Sequence, residues 1–129
     1  MKFIKPITAL LLLLFSQQLF ADNKNTVKLI VLGIAQDAGY PQINCYKPHC
    51  MPAWKNHDLK KLATSLGLID TADNKKYLFE ATPDIKQQLY NFHSIANDED
   101  NPLSGIFLTH AHMGHYTGLM HFGREAAGT

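Results

Sequence analysis

The chain has 129 residues, with 12 Lys and Arg against 11 Asp and Glu, 46% hydrophobic residues and 18% charged ones. A balance this close to neutral gives no electrostatic basis for nucleic acid or for an anionic membrane surface, and the composition is that of an ordinary globular protein and argues against disorder. The length accommodates one domain.

The chain opens with Lys2 and Lys5, then an apolar stretch centred on Leu10-Leu11-Leu12-Leu13-Leu14-Phe15. Polar Ser16, Gln17 and Gln18 follow, and Leu19-Phe20-Ala21 offers a small residue for cleavage before Asp22. Residues 1–21 therefore read as a secretory signal peptide, with residues 22–129 secreted or periplasmic after cleavage. A spanning helix needs about 20 mostly apolar residues. The glutamines interrupt this one too early, and no cysteine lies near the cut to accept a lipid, so no stable membrane anchor is expected. Cleavage removes two lysines and no acid, leaving ten basic residues against eleven acidic ones.

Val27-Lys28-Leu29-Ile30-Val31-Leu32, ended by Gly33, reads as a buried strand. Residues 33–57 hold Gly33, Gly39, Pro41, Pro48 and Pro52 among polar residues, which predicts a long loop, and a loop of that length in a compact domain is usually functional or disordered. Within it, Cys45 and Cys50 would meet an oxidising compartment after export, where a disulfide persists. With His49 beside Cys50, a small zinc site is the sharper alternative, but two thiols and an imidazole fall one short of four ligands. A disulfide or free thiols hold the edge if the Cα atoms approach within about 7 Å.

Ser65–Ile69 and Lys76–Glu80 read as strands joined by a polar hairpin, Asp70 to Lys75. Thr82-Pro83-Asp84 then opens a helix, with Thr82 as cap, Pro83 in the first turn and Asp84 at the positive end of the dipole. Ile85, Leu89, Phe92 and Ala96 recur at helical spacing and face the core. The acidic run Asn97–Pro102 lacks the spaced oxygen ligands of a calcium loop and reads as a solvated connection. Gly105–Thr109 is the last predicted strand. Leu119, Met120 and Phe122 suggest a second helix, interrupted by Gly118 and Gly123.

Chemistry concentrates where that last strand ends. Three of the seven histidines lie between His110 and His115, and strand ends of an α/β sheet open into the crevice where such folds place ligands. His110 and His112 alternate and project to one side of an extended backbone, and His115 lies on the turn that brings it round to the same point. One histidine at a strand end is ordinarily structural, but three at this spacing point to a metal. Imidazole nitrogens suit zinc, and also iron, copper or nickel. The remaining candidates have plainer readings: His121 as a surface or packing residue, Asp37 as a turn residue within reach of a metal, Trp54 as packing, and His57 and His93 as solvent-facing or packed.

Thr109-His110-Ala111-His112-Met113-Gly114-His115 resembles the Thr-His-x-His-x-Asp-His signature of the metallo-β-lactamase superfamily. Val31-Leu32-Gly33 and Pro41-Gln42-Ile43-Asn44-Cys45 are similar to the pyrroloquinoline quinone biosynthesis protein B branch. So are Ala63-Thr64-Ser65-Leu66, His115-Tyr116-Thr117-Gly118-Leu119 and Phe122-Gly123-Arg124-Glu125-Ala126. The resemblance implies an α/β (α+β) fold that is the N-terminal half of an αββα sandwich, a partial domain over residues 22–129. It implies metal ligation by His110, His112 and His115, with a further histidine supplied much later, and one or two zinc ions, or iron. In the superfamily the metal activates water and polarises an ester, amide, thioester or phosphodiester.

One departure stands out. The signature's aspartate, a ligand of the second metal, is Gly114 here, which implies a single metal or a non-hydrolytic role, and Gly114→Asp is then expected to raise occupancy toward two. The leading functional expectation is a metal-dependent hydrolase of a small-molecule substrate. The alternatives are a quinone-cofactor-pathway enzyme or carrier and a non-catalytic fragment. Residues 22–129 alone are expected to fold poorly, because a sandwich needs both sheets to bury its inner faces.

Overall fold

The computed structural model describes residues 26–98, 100–126 and 128; the signal-peptide reading of residues 1–21 lies outside them. No helix among the described residues is long and apolar enough to cross a membrane.

Four strands, β1 (Val27–Gly33), β2 (Ser65–Asp70), β3 (Lys75–Phe79) and β4 (Gly105–Phe107), form one sheet in the order β1-β2-β3-β4. The first three run antiparallel, and β4 lies parallel to β3. The β2–β3 hairpin closes where expected. The Asp70 carboxylate accepts from the backbone N–H groups of Ala72 at 2.9 Å and Asp73 at 3.4 Å, which satisfies turn donors that no strand reaches. A parallel pair requires a crossover, and helix α2 (Ile85–Ala96) supplies it.

The register sorts the sheet into two faces. Ile30, Gly67, Leu78 and Ile106 lie side by side on one, and Val31, Leu66, Phe79 and Phe107 on the other. Helix α2 covers the first face, where Leu32, Leu78, Ala81, Ile85 and Phe92 form the buried core. Gly67 permits this packing, since a Cβ there would sit 2.5 to 2.8 Å from three atoms of the Phe92 ring. Each large apolar side chain buried in that layer contributes about 1.5–3 kcal/mol.

The opposite face is open. Val27, Leu29 and Val31 of β1 are 66%, 61% and 62% exposed, so β1 is a one-sided edge strand and not the fully buried strand its apolar run suggests. A continuous apolar run cannot show which of its two faces has cover.

Three further expectations change. The long loop contains helix α1 (Met51–Lys55) and a 3-10 turn, His57–Leu59. It folds back on itself through paired bonds between Tyr40 and Lys61, at 2.8 and 3.0 Å. Helix α2 begins at Ile85, three residues beyond the expected cap. The Thr82 hydroxyl instead accepts from Asp84 N–H at 3.1 Å and donates to Gln88 at 2.7 Å, while the Asp84 carboxylate accepts from Ala63 N–H at 2.8 Å. These polar groups stitch the helix start to the residues entering β2. Finally, the predicted second helix is broken into a short α3 (Met113–Tyr116) and a 3-10 turn (Thr117–His121), with β4 ending at Phe107.

His93 is a packing residue. Its Nδ1 lies 3.1 Å from the Nζ of Lys76, which is buried and also donates to the Asp98 carbonyl.

Candidate metal centre

The site forms where β3 and β4 end side by side. Glu80 N–H donates to Phe107 O at 2.9 Å, which continues the parallel ladder by one step. Ala81 N–H donates to His115 O, and Ala81 O accepts from Gly118 N–H, both at 2.8 Å. These backbone bonds bring the histidine segment back over the end of β3 after it has left β4.

The three histidines cluster as their spacing suggests. The His110 ring lies 4.6 Å from that of His112 and 4.0 Å from that of His115, centroid to centroid. His110 and His112 are exposed and His115 is half-buried. The Nδ1 of His110 is engaged by the Thr109 hydroxyl at 2.8 Å, which leaves Nε2 as its free nitrogen.

His115 stands between two carboxylates. Its Nε2 lies 3.2 Å from Asp37 Oδ1, and its Nδ1 lies 3.1 Å from Glu80 Oε2. The Nδ1–Glu80 approach is off the angle of a hydrogen bond, so these two buried atoms face each other with no hydrogen-bond partner. A buried imidazole and carboxylate facing each other outside hydrogen-bond geometry are costly to leave unpaired. The other Glu80 oxygen accepts from Thr109 N–H at 3.0 Å, which fixes the carboxylate against the loop that carries the histidines.

Both carboxylate residues adopt left-handed backbone, with φ of 22° at Asp37 and 75° at Glu80. Such conformations cost about 1–3 kcal/mol each and persist where surrounding structure enforces them. For Glu80, the bonds to Phe107 and Thr109 are that enforcement.

Gly114 is buried against the Asp37 backbone. A Cβ at position 114 would fall 2.3 Å from Asp37 O and 2.5 Å from both its C and Cα atoms. An aspartate cannot occupy this position without displacing the loop, so the expectation that Gly114→Asp would simply add a ligand is overturned. The space of the signature aspartate is filled by another residue's main chain.

The donor set fits a zinc-type ion, since it consists of imidazoles with a carboxylate alongside and a second carboxylate behind His115. The histidine donors are not drawn in to a closed site, however. Among the described residues, the group of three ligand-type side chains with all donor atoms within 4.8 Å of one another is Cys45, His49 and Cys50. There the two cysteines form a disulfide with Cα atoms 5.9 Å apart, and the Sγ of Cys45 lies 3.8 Å from His49 Nε2. The disulfide reading of that loop therefore holds. Trp54 is partly exposed, donates from its indole to Cys45 O at 2.7 Å and stacks on Tyr46. His57 is exposed. His121 lines a separate apolar cavity of about 640 Å³ with Ile85, Leu89, Ile106 and Phe122.

Glu80 is the residue that sequence reasoning missed. Its signal was positional, an acid closing an apolar strand at the sheet edge where ligands gather.

No family model matches the chain. It is 34% identical over 98 residues to coenzyme PQQ synthesis protein B of Methylobacterium sp. strain 4-46, covering 73% of this chain and 33% of that protein. Among solved structures, a diphosphatase of the PhnP family superposes with a TM-score of 0.57 at 26% identity, covering 74% of this chain and 34% of the other. Zinc-bound PqqB from Methylobacterium extorquens superposes with a TM-score of 0.55 at 27% identity, over 74% and 33% of the two chains. The chain thus spans about a third of the length of the proteins it matches. In sequence and in architecture it is a metallo-β-lactamase-fold relative of coenzyme PQQ synthesis protein B.

Proposed function

We propose that this chain carries part of the metal centre of a metal-dependent hydrolase acting on a small-molecule substrate, with His110, His112 and His115 as ligands. The observation that carries the reading is the gathering of three imidazole rings at the ends of β3 and β4, the last of them backed by the Glu80 carboxylate. A bound zinc would supply Lewis acidity and an activated water. The chain's own residues do the rest. His110 and His112 present free nitrogens to solvent from a loop whose register is set by Thr109. Glu80 lies against the rear of the His115 ring, 3.1 Å from Nδ1, the place carboxylates take behind metal-ligating histidines.

The zinc-bound and diphosphatase structures named above support zinc as the ion and a phosphoric ester or anhydride as a first substrate class to test. The match to coenzyme PQQ synthesis protein B favours a second reading, a role in handling a quinone-cofactor precursor. We also propose export, on the strength of the first 21 residues.

The test is made on the full-length protein, by metal analysis of the wild type and of the His110→Ala, His112→Ala double variant. A screen with phosphodiester, diphosphate, ester and lactam substrates follows. The reading expects stoichiometric zinc that the double variant loses, together with turnover of at least one hydrolysable class. Unchanged metal in the double variant removes this loop as the site. Stoichiometric metal without hydrolysis of any class moves the conclusion to the cofactor-pathway reading.

A further inference from the structure

We propose that Asp37 supplies, from a distant part of the chain, the carboxylate ligand that the family signature places before its last histidine. The inference rests on the metal-centre reading above and adds a ligand to it that the histidine motif does not contain.

Two independent observations converge on Asp37. The first is steric. The main chain of Asp37 occupies the volume of a side chain at position 114, approaching within 2.3 Å of where a Cβ would lie. Loss of the aspartate and arrival of the Asp37 loop are therefore one structural change: glycine at 114 is the condition for Asp37 to sit there.

The second is the aim of the side chain. From that position Asp37 Oδ1 comes 3.2 Å from His115 Nε2. Two donors each about 2.0–2.1 Å from one tetrahedral zinc stand about 3.3 Å apart. In this structure the separation is that of a hydrogen bond from the imidazole to the carboxylate, and the same spacing suits two ligands of a single ion once Nε2 gives up its proton. His115 Nδ1 already faces Glu80, so its Nε2 is the nitrogen left for coordination, and that nitrogen is the one Asp37 faces. Glu80 is turned to the rear of the ring and bonded to Thr109 N–H, in a supporting place. Asp37 is on the front and its side chain is 40% exposed, so it can bind an ion arriving from solvent.

The loop around Asp37 has the rigidity that a ligand needs. Gly39 N–H donates to Gln36 O at 2.9 Å, Thr64 N–H donates to Ala35 O at 2.8 Å, and Tyr40 pairs with Lys61. Asp37 is thus held between two segments tied to the sheet.

The experiment uses the full-length protein, stripped of metal and titrated with zinc against a chromophoric chelator, and the cobalt(II)-substituted form for its visible spectrum. Asp37→Asn is the informative variant, because asparagine is isosteric and tolerates left-handed backbone. The expected result is at least a tenfold weaker zinc affinity, with a changed cobalt spectrum and an unchanged far-ultraviolet circular dichroism spectrum of the metal-free protein. A variant that binds zinc as tightly as the wild type with the same cobalt spectrum overturns the assignment of Asp37 while leaving the histidine centre standing. Metal retained by the His110→Ala, His112→Ala variant overturns the centre itself. Should Asp37→Asn fail to fold, zinc-loaded wild-type crystals decide the matter. An anomalous-difference map expected to place zinc within bonding distance of Asp37 and His115 overturns the proposal if no zinc lies within 3 Å of the Asp37 carboxylate.

Discussion

Replacing Gly114 by alanine adds one methyl group, and the structure says what that methyl meets. The three nearest atoms are all Asp37 backbone, at 2.3, 2.5 and 2.5 Å. Ordinary contact begins about 1 Å farther out, so the Asp37 segment must back away by about that distance. No flexible side chain is available to yield in its place. Overpacking of this kind costs about 1–3 kcal/mol, and the displacement carries Asp37 Oδ1 away from His115 Nε2. We expect Gly114→Ala to lower the stability of the metal-free protein by that amount in urea denaturation. Zinc affinity should weaken by tenfold or more in the same preparation. Gly105→Ala is the matched control, because its Cβ would meet the Tyr77 ring at 3.5 and 3.8 Å, an ordinary contact. That variant should stay within about 0.5 kcal/mol of the wild type. Equal behaviour of the two variants in both assays would refute the reasoning that Gly114 is a steric licence for the Asp37 loop.

Four other outcomes are expected. Glu80→Gln keeps an acceptor for Thr109 N–H but removes the charge behind His115, so metal affinity should fall about 10- to 100-fold with little loss of secondary structure, measured by chelator competition and circular dichroism. Phe92→Ala empties the space over Gly67 and should cost about 3–5 kcal/mol in urea denaturation. Residues 22–129 produced alone should aggregate or bind a hydrophobic dye, because Val27, Leu29, Val31 and Phe107 share an open sheet face; a monomeric, cooperatively melting product would count against this. Protein recovered from a secreting host should begin at or near Asp22 by N-terminal analysis, with Met1 retained as the contrary result.

The elements legible from sequence were those with a strong local signal. The β2–β3 hairpin was written in two apolar runs around Asp70–Lys75, and α2 in the spacing of Ile85, Leu89 and Phe92. The histidine cluster was legible because its three members lie within six residues, so local geometry alone brings them together. The partners of His115 were not legible in this way. Asp37 reaches it across 78 residues, and that contact depends on how a long loop folds back through Tyr40 and Lys61. Glu80 looked like the last residue of a strand; its left-handed backbone is imposed by neighbours that a linear reading does not place. The exposure of β1 was hidden for a related reason, since an apolar strand reads alike whether one face is covered or two.

The span from Asp37 to His115 has a kinetic side. Closing a loop of that length costs conformational entropy that grows as about (3/2)RT ln n and is spent before the contact returns anything. The hairpin and α2 need only local closure and are free to form early. The junction of Asp37, Glu80 and His115 waits until both ends of the sheet have docked. If an ion binds at this junction as proposed, it recognises the finished arrangement and not partly folded chains, and its capture reports that folding has gone to completion.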